Sequence, residues 1–216
     1  MSMAMTWSLV KKDFLLAKKF TLMVLGVGIV IPIFVALQEP ALGGFGVFLF
    51  MAMYTILIFS QYVTATENKY EKAEALLFAS PYTKFHFVAA KYVFFLIVFA
   101  ACVLIYFVLS LIPLTHIAFE LGAVAVTLLV TSIVYGFLLP LQLKLGVEKT
   151  RYVFILLLFG ISFGAPAIMP FLSNVDFSAL NNMPNWAFGG GAVILSALIL
   201  IASAHVSLKV YEHKEF

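Results

Sequence analysis

Glu67–Tyr92, ENKYEKAEALLFASPYTKFHFVAAKY, is the longest polar interruption in an otherwise apolar sequence, and it lies between two segments with the composition of membrane helices. At the helical period, Glu67, Glu71 and Glu74 fall within about 60° of one another. Tyr70, Ala73 and Leu77 form a neighbouring apolar stripe, and Lys69 and Lys72 lie on a third side. The pattern predicts a short helix over 67–81 with acidic, apolar and basic faces. Pro81 ends it, because its ring disfavours the α region at Ser80 and removes a backbone donor. Helix resumes from Lys84 to Lys91 and runs into the next apolar stretch. A three-faced helix tied to two spans is suited to pass force from a soluble partner into a membrane. A solvated loop joining two helices would carry the same residues.

The whole chain agrees with that setting. Of its residues 64% are hydrophobic and 11% charged, with a mean hydropathy of +1.11. A soluble domain has roughly 45–50% apolar and about 25% charged residues. The sequence therefore reads as an all-α, polytopic membrane protein forming a single transmembrane domain over 1–216. The lone Cys102 sits in an apolar run and reads as packing.

Six spans of about 20 residues match a hydrocarbon core of about 30 Å. They are Phe20–Gln38, Phe45–Thr66, Phe87–Leu114, Leu121–Leu143, Tyr152–Leu172 and Trp186–Leu208. Residues 1–19 precede them as an interfacial helix, with Trp7, Val10, Phe14 and Ala17 on its apolar side and Lys11, Lys12, Lys18 and Lys19 across from them. All thirteen Lys and Arg fall at the N-terminus, around 67–91, in 144–151 or in the tail. Under the positive-inside rule, these segments and both termini are cytoplasmic, and 173–185 is an extracellular loop.

No charge is expected deep in a span, which argues against an ion-coupled carrier. Span two carries Thr55, Ser60, Gln61 and Thr64; span four carries Thr127, Thr131, Ser132 and Tyr135. Such groups line paths or join helices by hydrogen bonds. The glycines and prolines of GISFGAPAIMPF predict a kink or break near the outer end of span five. The chain has no phosphate-binding G-x-x-x-x-G-K-[ST] loop, no His-Glu-x-x-His pair, no Cys/His group with metal spacing and no serine beside a base. No catalytic residue, metal, cofactor or nucleic-acid role is expected of it.

Four stretches together resemble the membrane subunits of ABC-2 type exporters, specifically the small six-span bacterial permeases. They are LVKKDFLLAKK at the N-terminus, ENKYEKAEALLFASPYTKFHFVAAKY, LPLQLKLGVEKTRYV between spans four and five, and SLKVYEHKEF at the end. The resemblance is to exporters of amphipathic cytolytic peptides such as phenol-soluble modulins, and of antimicrobial peptides.

This resemblance implies a bacterial cytoplasmic-membrane permease working with a separate ATPase that holds the ATP and magnesium. Two permeases, as a homodimer, would assemble with two ATPases. It makes 67–81 the coupling helix, with Glu67, Tyr70, Glu71, Ala73, Glu74, Leu77 and Pro81 at the ATPase contact. It also places spans two and five along the path of a hydrophobic or amphipathic peptide. Phe59, Gln61, Tyr62 and Thr64 would then sit near the cytoplasmic entrance, and Phe163, Met169 and Phe171 near the outer gate. A stand-alone channel or carrier, and a membrane scaffold or immunity protein binding a peptide without transport, share the composition.

Overall fold

The computed structural model describes residues 3–18, 26, 43–68, 83–112, 118–172 and 185–212, with the backbone alone at 43, 68, 147, 148, 151, 154, 157–172, 185–187 and 212. All five helices among them belong to one bundle. We number them α1 (3–18), α2 (Gly43–Asn68), α3 (Lys84–Ser110), α4 (Leu121–Leu172) and α5 (Asn185–Glu212). Four stretches are long and apolar enough to cross a membrane: Gly44–Glu67, Lys84–Ser110, Leu121–Gly146 and Phe188–Tyr211. They correspond to the expected spans two, three, four and six. The first expected span, the coupling segment from residue 69 and the loop 173–184 lie outside the described residues.

Three boundaries follow from local chemistry. α3 begins at Lys84 after Thr83, which is extended (φ −83°, ψ 156°) and whose carbonyl accepts the amides of His86 and Phe87. It ends at Ser110, short of the expected Leu114, because Ile112 precedes Pro113 and is driven from the α region. α4 is two arms rather than one rod: Gly146 has φ 77° and ψ 170°, a backbone open to glycine and strained for other residues. The second arm, 147–172, covers the expected fifth span and stays helical through Gly160, Gly164 and Pro166. A break near the outer end was expected there; among the described residues the sharp bend falls at Gly146 instead.

α2 and α3 run antiparallel, and the first arm of α4 and α5 both run toward the end where α1 lies. There Tyr211 of α5 stacks on Phe87 of α3, with centroids 5.2 Å apart and planes 10° from parallel. At the opposite end Tyr106 of α3 donates to the Ala118 carbonyl at 2.7 Å and stacks on Phe48 of α2. The core is aromatic and aliphatic, with Phe48, Phe95, Tyr106, Leu139 and Tyr211 nearly inaccessible.

Helix contacts inside this core are set by small residues and hydroxyls, as expected where lipid tails offer no hydrophobic contrast. Gly136 lets α4 approach α5 so closely that an added Cβ would stand 3.3 Å from Ser203 Cβ. Ser203 donates to the Gly136 carbonyl at 2.5 Å. The Tyr92 hydroxyl joins Ser203 and Ser207 at 2.7 and 2.9 Å, and Tyr135 donates to the Lys91 carbonyl at 3.0 Å. This network binds α3, α4 and α5.

Candidate functional site: a charge tetrad at the end of α2

α1 is amphipathic, but the structure divides its apolar residues differently from the expectation. Val10 and Ala17 are buried, and Phe14 packs on Phe94 of α3 at 4.8 Å. Phe94 in turn stacks on Phe59 of α2 at 5.6 Å, so one aromatic column crosses three helices. Trp7, expected on the same face, is 60% exposed with Met3 and Leu15. The inward arc is thus protein contact rather than acyl-chain contact.

At the centre of that inward arc lies an acid. Asp13 is 1% exposed, and its Oδ2 is 3.1 Å from Lys91 Nζ of α3. Lys91 Nζ also donates to Glu67 Oε2 at 2.7 Å. Glu67 Oε1 accepts from Lys12 Nζ at 2.6 Å, and Lys12 Nζ lies 3.4 Å from Asp13 Oδ1. Two cations and two anions therefore alternate around a closed circuit that joins α1, α2 and α3. Phe87 lies beneath both cations, its ring centroid 5.4 Å from Lys12 Nζ and 5.2 Å from Lys91 Nζ. Through the Phe87–Tyr211 stack the tetrad reaches α5.

Its energetics are those of a buried ion cluster. Taking charges out of water costs several kcal/mol per ion, returned only by close pairing and hydrogen bonds. Here both Glu67 oxygens accept charge-assisted bonds, the stronger kind. Asp13 is less well served: its Oδ1 has no directed hydrogen bond. Burial raises the Asp13 pKa, against the lowering pull of Lys91. Lys91, counted in sequence among the flanking cations, is about 10 Å along α3 by helical rise and only 5% exposed.

Of the residues expected at the ATPase contact, only Glu67 is described, and it is a member of the tetrad in the last turn of α2. Tyr70, Glu71, Ala73, Glu74, Leu77 and Pro81 lie outside the described residues. Among the expected path residues, Phe59 is buried against α3. Thr64 donates back to the Ser60 carbonyl of its own helix at 2.9 Å. Gln61 and Tyr62 are half-buried, and the Gln61 amide nitrogen has no partner. Phe163, Met169 and Phe171 sit on the second arm of α4, where only the backbone is described.

Sequence reasoning missed Lys12, Asp13 and Lys91 as one unit. The signal was present: on a wheel Asp13 stands between Leu9 and Val10–Ala17, an acid inside the apolar arc, which calls for a buried cation.

These features define a polytopic helical membrane protein whose N-terminal amphipathic helix is pinned to two spans at the point where the chain enters a polar segment. A family model described as ABC-2 family transporter protein matches residues 8–212, taking in all four members of the tetrad. The chain belongs to that family of membrane transport components. No curated protein matches it, and no solved structure does.

Proposed function

We propose that this chain is the permease of an exporter powered by a separate ABC ATPase, which docks on 67–81 and carries the ATP and magnesium. Two copies would line the path, with both termini in the bacterial cytoplasm and a hydrophobic or amphipathic substrate, a peptide by preference, as cargo. Family membership supports the permease role. One observation supports coupling at 67–81: the chain leaves α2 for that segment at Glu67, whose carboxylate is bonded to both α1 and α3. A displacement of the segment would therefore be felt by three helices together.

Cargo chemistry rests on the walls. Gln61, Tyr62 and Thr64 are half-buried and uncharged, and the charges of the described spans gather at the α1 end. A cavity with apolar walls and a few amide or hydroxyl groups suits a substrate with one greasy and one polar face.

The experiment is purification of the tagged permease with its neighbours, followed by reconstitution. An ATPase of roughly 30 kDa should co-purify, given the size of a single domain of that class. Leu77→Asp or Ala73→Arg should leave insertion intact and separate ATP hydrolysis from export. Losing the apolar contact should cost about 1.5–3 kcal/mol of binding, and an unpaired charge more. Unchanged cargo-stimulated hydrolysis and export in both variants would remove 67–81 from the contact.

A further inference from the structure

Turning α1 over reveals a second surface. At 100° per residue Trp7, Lys18, Lys11 and Leu15 occupy one arc of about 80°, opposite the arc that carries Asp13, and Met3, in the first turn of α1, lies beyond the edge of it past Phe14. All five are exposed, Met3 at 88%. The helix has a single acid, Asp13, and it is turned inward and paired. Lys12, on the flank, is engaged by Glu67. Lys11 and Lys18 have no ion-pair partner among the described residues. The outward arc therefore presents apolar side chains and uncompensated positive charge together, with no carboxylate on it.

We propose that this arc binds anionic phospholipid headgroups of the leaflet at the α1 end. A zwitterionic headgroup brings its own ammonium beside the phosphate and would leave both lysines competing with it. A headgroup of net negative charge does not. Met3 and Leu15 supply the part that enters the acyl boundary, and Trp7, amphipathic itself, belongs at headgroup depth. A soluble protein surface would match the lysines but leave these three apolar side chains against polar groups. The site is distinct from the tetrad, since it uses neither Lys12 nor Lys91. Because the same helix is held on its other side by Asp13 and Lys12, headgroup binding would steady the end of α2; that consequence rests on the proposed coupling role.

Trp7 reports on its own surroundings, because the chain has only one other tryptophan, Trp186. In full-length Trp186→Phe permease reconstituted into vesicles, brominated acyl chains are placed either on phosphatidylglycerol or on phosphatidylcholine, at equal mole fraction. Quenching of Trp7 should favour brominated phosphatidylglycerol, with a preference of about fivefold per lysine at low salt that shrinks as salt is added. Lys11→Gln with Lys18→Gln should bring the two lipids to parity, while the arginine pair keeps the preference. Equal quenching in the parent protein would overturn the proposal, as would a preference that survives the double glutamine variant. Protection of Trp7 from both lipids, in permease purified with an ATPase bound, would assign the arc to protein contact instead. None of these readings needs export to work, so failure of the transport role would be seen separately.

Discussion

Lys91 Nζ stands 2.7 Å from Glu67 Oε2, and the two residues are 24 positions apart. They are the first and the second-last residues of the polar stretch Glu67–Tyr92 with one at each root of it. The segment proposed to meet an ATPase is therefore clasped at its base by an ion pair, and α1 adds a cation and an anion to the clasp.

Replacing Lys91 by Met should be severe. It leaves Asp13 and Glu67 with only Lys12 between them, and breaking a buried pair in this way costs about 3–5 kcal/mol. Unfolding of the purified protein in detergent measures it. Adding Glu67→Gln and Asp13→Asn to Lys91→Met should recover most of the loss, since no buried charge then lacks a partner. A triple variant as unstable as the single one would contradict the pairing.

Acidity should act through Asp13. Burial raises its pKa above the ordinary carboxylate value, so the folded protein binds this proton more tightly than the unfolded chain does. The resulting contribution to stability is full below the unfolded pKa and is lost as pH rises through the folded one. Thermal unfolding of the parent protein should accordingly fall more steeply with rising pH across that window than that of Asp13→Asn. Parallel curves would mean that Asp13 titrates as an exposed acid.

The three glutamates of 67–74 should separate into two kinds. Glu67→Lys places a third cation against Lys12 and Lys91 and should destabilise the protein even when no partner is present. Glu71→Lys with Glu74→Lys should spare folding and weaken ATPase binding in a salt-dependent way. Comparing expression and melting of the isolated permease with ATPase pull-down at two salt concentrations distinguishes them. Identical behaviour of the two variants in the isolated protein would count against the division.

Gly136→Leu should loosen α4 from α5. Even a Cβ there stands 3.3 Å from Ser203 Cβ and 3.5 Å from Ile199 Cγ2, so a leucine must push the helices apart at a cost of about 1–3 kcal/mol. Gly190→Leu, with nothing within 4 Å of its Cβ position, serves as the control. Equal melting of the two variants would show that the close approach contributes nothing.

Helix identity was readable from hydropathy because long apolar runs have few alternatives in a membrane. Four expected spans reappear with ends shifted by a few residues, and the early end of α3 reflects Pro113, a local cause visible in sequence. The division of α1 was not readable in full. Periodicity grouped Trp7 with Val10, Phe14 and Ala17, but it cannot say whether an apolar stripe meets lipid or protein. Only Phe94 and Ala90 of α3, packed beneath Phe14 and Val10, decide that. Likewise Asp13, Glu67 and Lys91 were legible singly as charges near membrane boundaries. Their union depends on three helices meeting at one end, which no local pattern encodes.

The alternation of charge in the tetrad bears on the membrane potential. Two lysines and two carboxylates in close contact sum to zero when all are ionised. Moving one elementary charge through the whole field involves about 2.3 kcal/mol per 100 mV, whereas a neutral group carried through any part of it involves none. If α1 and the roots of α2 and α3 move together, the voltage across the bilayer does no net work on the four charges that join them. Lys12→Met would leave the cluster with one net negative charge, and its motion through the field would then make a voltage-dependent contribution. The pairing that holds the helices together also makes the cluster itself electrically silent when they move.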